Sequence, residues 1–285
     1  PATLRQNSAT LTGQLVNPGM GNLTGGIFTP TDYPGLQLWL DASSGATYDS
    51  NQSAPEQGWT PKVLQELVFQ LDANDSSTIT LAEDDVPGWN DKSGNGYHMV
   101  AQGNPKRLAY INDPDLKIIR FEGNRNDGGD SLYTSKQWDK STGSFTMFAV
   151  AGFDWVNSAS DALVSYDSFS GGGFMQWDAG NAHRFESRVW HHSNSGSLTS
   201  HKFYPQSDMG PALYQVSFDY EMGTIHGLLN GQSLGTTDYQ TSVHPRHVLR
   251  LFANNALNQF PKGFVAEFMV FEESLSELDR KLVES

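Results

Sequence analysis

Apolar residues in this chain recur mainly at every second position, and that period decides what the chain can fold into. Tyr214, Val216 and Phe218 alternate with Gln215, Ser217 and Asp219, and Leu36, Leu38 and Leu40 alternate in the same way within residues 35–41. Side chains two apart share one face of an extended strand, whereas a helix needs spacings of three and four. Residues 144–153 are apolar on both faces, the pattern of a central strand buried from two sides. The run from Thr224 to Leu229 leads into Asn230-Gly231, two residues that tolerate positive φ and so favour a tight hairpin. Phe264, Ala266, Phe268 and Val270 are expected to form one face of a last long strand. With 28 glycines and 13 prolines spread over 285 residues, turns are frequent enough to separate many short strands.

One segment reads as a helix. Ser274 followed by Glu277 makes a capping box, and Leu275, Leu278 and Leu282 recur at helical spacing. Many strands and one short C-terminal helix predict an all-β, two-sheet antiparallel sandwich. A hydrophobic fraction of 37% is sufficient for its core. Leu36-Gln37-Leu38-Trp39-Leu40-Asp41-Ala42 is echoed by Leu67-Val68-Phe69-Gln70-Leu71-Asp72-Ala73. Without a third copy this is a duplicated edge element or an insertion, not a solenoid.

Residues 1–34 differ in kind. Arg5 is the only charge before Asp32, and the apolar residues Leu4, Leu11, Leu15, Val16, Leu23, Ile27 and Phe28 stand isolated among Thr, Asn, Gly and Gln. Such a segment cannot bury enough surface to fold alone. It reads either as a flexible leader or linker or, the expectation adopted, as an extended docking arm on a neighbouring subunit or partner, with residues 35–285 as the folded domain and a homo-oligomer or larger assembly as the working state. No basic region followed by an apolar stretch opens the sequence, so a secretory signal was either removed or never present. Pro1 fits the second option, after trimming of an initiator Met. No run approaches the ~18 apolar residues of a membrane-spanning helix. A net charge of −14 argues against nucleic acid and anionic membranes as partners. The absence of cysteine excludes disulfides, zinc–thiolate sites and thiol catalysis.

Residues 67–81 followed by Trp89-Asn90-Asp91-Lys92-Ser93-Gly94-Asn95-Gly96 resemble the opening of bacterial and phage laminin-G-like domains, within the concanavalin A-like lectin/glucanase superfamily. Ile119-Arg120-Phe121-Glu122-Gly123, the hairpin of residues 220–235, and residues 263–271 running into Leu275-Ser276-Glu277-Leu278-Asp279-Arg280 fit the same pattern. The resemblance covers about residues 36–285 and implies a jelly roll of two packed sheets. Superfamily members include sugar-binding modules, glycan-cleaving enzymes and virion proteins, and the fold does not choose among them.

Retaining glycan hydrolysis needs two carboxylates ~5–5.5 Å apart. One strand supplies these as acids at i and i+2. The strand motif of the superfamily's glucanases is absent: Glu267 has no acid two residues away, and Glu272 and Glu273 are adjacent and diverge. The superfamily's lyases combine an Arg-rich strand with catalytic His and Tyr, and residues 183–190 come nearest to that pattern, without its companion strands. In that segment Arg184, Glu186, Arg188 and Trp190 share one face, opposite Phe185, Ser187 and Val189. The strip reads either as a solvated face with cross-strand ion pairs or as a glycan- or partner-contacting face. Trp155, Trp177 and Tyr166 are further candidates for that face, since aromatic rings stack on sugars, although core packing is the commoner use.

His191, His192 and His201 read as loop histidines, because neighbouring strand residues point to opposite faces. Asp127 and Asp130 are weak Ca²⁺ candidates, with an Asp/Gly turn as the alternative, and the same holds for the acids of residues 72–75 and 84–85. The Asn22, Asn51 and Asn74 sequons matter only in a eukaryotic secretory route. No cofactor is expected beyond a structural Ca²⁺. The leading expectation is a non-enzymatic phage virion component (capsid decoration, fibre or tail-associated) whose arm docks on the particle and whose jelly roll is displayed for stabilisation or glycan contact. The alternative is a secreted or surface carbohydrate-binding module, with a lyase or glucanase third.

Overall fold

A computed structural model describes residue 63 and residues 66–123, 129–139, 143–155, 161–166, 173–178, 184–190, 198–203, 211–238, 246–254, 257 and 260–284. The arm residues Leu4 to Phe28, the first copy of the echo at 36–42, Asp127, His191 and His192 lie outside these residues.

Turns divide the described chain into nineteen strands, numbered here along the sequence. The first sheet contains β1 (Leu67–Asp72), β5 (Lys106–Tyr110), β6 (Asp113–Phe121), β9 (Phe145–Trp155), β14 (Ala212–Asp219), β15 (Thr224–Leu229), β16 (Gln232–Asp238) and β19 (Lys262–Phe271). In it β19 has β9 along one edge and shares its other edge between β1 and β6. The second sheet runs in the order β2 (Ile79–Ala82), β3 (Asp85–Trp89), β4 (Met99–Gln102), β7 (Ser131–Thr134), β18 (Leu249–Leu251), β10 (Asp161–Tyr166), β11 (Gly173–Asp178), β12 (Arg184–Trp190) and β13 (Leu198–Phe203). A short ribbon pairs β8 (Trp138–Asp139) with β17 (Arg246–His247). All pairings are antiparallel, and the two layers meet where Asp85 faces Lys106. This is the expected two-sheet jelly-roll sandwich.

Between the layers Phe69, Leu71, Met147, Val216 and Phe218 face Trp89, Met99, Leu132 and Leu251, all at most 1% exposed. Phe145 and Phe218 stack with centroids 4.3 Å apart. Each such side chain contributes ~1.5–3 kcal/mol on burial. A second apolar cluster lies on the outer face of the first sheet, where Leu116, Ile118, Phe148, Val150 and Phe271 are covered by Leu275 and Val283. That cover explains why residues 144–153 are apolar on both faces. It also buries Gln215 and Ser217, which alternation alone placed outside.

Three local expectations change. The last strand does not keep one phase: Val265 pairs with Ala151 and Glu267 with Val150, so Ala266 is an extra residue in a β-bulge. Phe264 and Ala266 therefore join the outer cluster, while Phe268 and Val270 enter the interior. Helix α1 (Glu277–Val283) is capped by Ser276 rather than Ser274; the Ser276 hydroxyl oxygen accepts the Asp279 N–H at 3.1 Å. Leu278 is 69% exposed, so Leu275 and Val283 make the buried contact. The Asn230-Gly231 turn is as expected, with φ of 50° and 72°.

The Trp89–Gly96 motif acts as a clasp. The free edge of β1 is covered by the loop after β3: Gln70 N–H donates to Asp91 Oδ1 at 3.0 Å, and Lys92 N–H donates to Gln70 O at 2.9 Å. Ser93 Oγ and Asn95 Nδ2 both donate to Val68 O. Lys92 Nζ sits 2.9 Å from Asp72 and 3.1 Å from Asp75, so these acids anchor the clasp.

Candidate binding face

The outer face of the second sheet carries an unbroken row of cross-strand neighbours running across seven strands. Thr80 pairs with Gly88, Gly88 with Val100, Val100 with Tyr133, Tyr133 with Arg250, Arg250 with Ser165, and Ser165 with Gly173. In the middle of the row the members are outward residues of strands whose neighbours face the core, whereas Leu81 beside Thr80 and Pro87 beside Gly88 are themselves exposed. Val100 is 38% exposed between buried Met99 and core-packed Ala101, and Tyr133 and Arg250 are half-buried between fully buried residues. At ~4.8 Å per strand spacing the row extends close to 30 Å.

Chemically the row is mixed. The Arg250 guanidinium carbon lies 5.5 Å from the Tyr133 ring centre, within cation–π range. The Ser165 end is roofed by the turn after β18, where Ser165 Oγ donates to Ala253 O at 2.6 Å. Phe252 makes that turn possible with φ of 57°, stacked on Phe121 at 4.4 Å. Among the described residues nothing roofs the Thr80–Gly88–Val100 end.

The strip expected from the sequence continues this face. Met175 is fully buried, so alternation puts the Gln176 position outside, and Gln176, Glu186 and Lys202 are direct neighbours in register. Asp178 stands opposite Arg184, Glu186 opposite Lys202, and Arg188 opposite Ser200. Two of the three cations thus face an acid, the arrangement expected of cross-strand ion pairs. Arg184, Glu186, Arg188 and Trp190 are alternate positions of β12. Trp177 pairs in register with Phe185, the position beside Arg184 and Glu186. Tyr166 pairs with core-facing Leu249, and Trp155 lies in the first sheet opposite Lys262.

Thr80, Gly88, Val100, Tyr133 and Arg250 were not singled out in the sequence. Successive members are 8 to 117 residues apart along the chain and meet only through register; the one available signal was the position of Val100, Tyr133 and Arg250 as the odd residue in a buried alternation.

Other candidates have structural partners. Glu267 is 5% exposed in the first sheet, where its cross-strand partner is Asp72, itself buried and held by Lys92 Nζ at 2.9 Å. Asp130 accepts the Asn104 N–H at 2.7 Å on one oxygen and the Glu122 N–H at 2.9 Å on the other, which ties two loops together. Asn74 Oδ1 accepts the Lys117 N–H at 2.8 Å. Among the described residues no group of three His, Asp or Glu is placed to hold a metal ion.

No family model matches the sequence, and no curated protein matches it. Solved structures do share its fold. The binding domain of Paraclostridial Mosquitocidal Protein 1 aligns at 15% identity and a TM-score of 0.53, over 78% of this chain and 52% of that one. The binding domain of Botulinum Neurotoxin DC in complex with SialylT aligns at 13% and 0.56, over 78% and 51%. Domain 4 of AbnA, a GH43 extracellular arabinanase from Geobacillus stearothermophilus solved with arabinotriose, aligns at 11% and 0.55, over 77% of this chain and 98% of that one. The chain therefore spans about half the length of the toxin binding domains and nearly all of the arabinanase domain. At these identities the likeness is one of fold, and it places this chain among two-sheet β-sandwiches of the jelly-roll type.

Proposed function

We propose that the protein is a non-catalytic binding module that holds a saccharide against the outer face of its second sheet. The observation that carries this reading is the Thr80–Arg250 part of the row, where exposed Thr80 and Val100 lie beside half-buried Tyr133 and Arg250, a mixture of methyl, hydroxyl, aromatic and guanidinium groups. Such a mixture suits a ring with an apolar face and a hydroxyl rim. In register Asp178 is paired with Arg184 and Glu186 with Lys202, which supports a non-catalytic reading. Domain 4 of AbnA, which this chain matches over nearly its full length, was solved with arabinotriose, and that adds support for a sugar. Printed oligosaccharide arrays test the reading: wild type is expected to bind, and Tyr133→Ala or Arg188→Ala to weaken binding. Release of reducing or unsaturated ends from any polymer would overturn the non-catalytic part.

Attachment to a virion or other assembly through residues 1–34 is a separate reading, and the nearly uncharged composition of that arm supports it. Deleting the arm should leave the sandwich folded and saccharide binding intact while abolishing incorporation into the particle.

A further inference from the structure

Lys92 stands apart from the binding face, and its surroundings differ from those of Lys106 and Lys262. In the Lys106–Asp85 and Lys262–Glu122 pairs the side chains are 37–51% exposed. Lys92 and Asp72 are 10% and 7% exposed, with Nζ 2.9 Å from Asp72 Oδ2. Asp75 also reaches Nζ, at 3.1 Å. Burial works against the Lys92 charge, and Asp72 and Asp75 more than offset it, so the resting form is the ion pair. The groups around that pair are placed for acyl chemistry. The Asn74 N–H donates to Asp72 Oδ1 at 2.8 Å, the oxygen on which charge develops when the carboxyl carbon is attacked. Glu267, 5% exposed, is the cross-strand partner of Asp72, so both side chains lie on one face of the sheet.

We infer that Lys92 and Asp72 are the precursors of an intramolecular amide, a covalent bolt between β1 and the loop after β3. Within the pair a proton passes from Nζ to Oδ2, and the neutral amine attacks Cγ. The new C–N bond forms as charge collects on Oδ1 beside the Asn74 N–H. Glu267 relays a second proton from nitrogen to Oδ2, the Cγ–Oδ2 bond breaks, and one water leaves. Ammonium and carboxylate thus become amide and water, with no oxidant and no activated donor consumed. Holding the two groups at hydrogen-bond distance supplies the effective concentration that amide formation in water lacks. The product also removes two buried charges whose desolvation their attraction offsets only in part. Asp72 and Lys92 are twenty residues apart, so the bond closes a loop and ties the first sheet to the second. In a chain without cysteine, it does what a disulfide does elsewhere.

The intact mass of the denatured full chain provides the test. Wild type is expected one water below its sequence mass, and Lys92→Arg at its full mass. A glutamyl endopeptidase cutting after Glu66 and Glu83 should leave residues 67–83 joined to residues 84–122 in wild type. That second readout needs no variant to fold. Glu267→Gln should remain mostly at full mass, and a bond as complete there as in wild type overturns the relay role of Glu267. Wild type at full mass, both fresh and after prolonged incubation at neutral pH, overturns the bond. So does a missing water that persists in Lys92→Arg, or one that maps to a fragment lacking Lys92.

Discussion

Phe252 shows how far a single residue can depart from its local preference. A large side chain at φ of 57° is strained by of order 1–3 kcal/mol. It persists because the ring is fully buried, stacked on Phe121 and packed on Phe153 at 5.4 Å. Phe252→Ala should lower stability by ~3–5 kcal/mol in urea unfolding, since the hole outweighs any relief of backbone strain. The same conformation at Asn230-Gly231 was readable in advance, because those residue types favour it by themselves. Nothing in the sequence around Phe252 announces it; the rings that hold it come from β6 and β9. Asp91 lies between these cases. Its place in a recognisable motif was visible, but not that its carboxylate accepts the N–H groups of Gln70, Ser93 and Tyr97.

At the scale of elements, the clasp and the terminal helix each cover something the strands leave open. Asp91→Ala would orphan those amides and uncover the β1 edge, so it should cost at least ~2 kcal/mol. It should also turn a monodisperse sample into an associating one by light scattering, as exposed strand edges do. Ser276→Ala removes the real helix cap and should cost about 1 kcal/mol, read as faster amide exchange throughout α1. The helix was legible and its start was displaced by two residues. Ser274 is drawn instead into a polar cluster, where Ser217 Oγ bonds both it, at 3.1 Å, and Thr146 Oγ1, at 2.9 Å. Likewise β19 was legible as a strand, while its bulge was not. Every residue from Gly263 to Phe271 is buried, Glu267 included, so no exposed residue marks where the alternation slips.

For the molecule as a whole, charge sets the pH response. Burial, and then the nearby Arg280, hold the His226 imidazole below its ordinary 6.5. The unfolded chain then takes up this proton first, so stability is retained above the ordinary imidazole range and lost as pH falls through it. His226→Gln should flatten that slope in melts between pH 7 and 5. At lower pH a second loss is expected. The hydrogen bond from Ser77, reinforced by Lys92, holds Asp75 below the usual carboxylate range, and Lys262 with Arg120 does the same for Glu122. Both contributions are present above that range and disappear as the folded groups protonate. The sequence by itself determined the class of fold and the Asn230-Gly231 turn, because side-chain period and turn chemistry are local properties. Tertiary structure alone decided the Ala266 bulge, the helix cap, the left-handed Phe252 and the row from Thr80 to Gly173. Each of these depends on which distant strand lies alongside, and antiparallel pairing brings together residues that the chain keeps far apart.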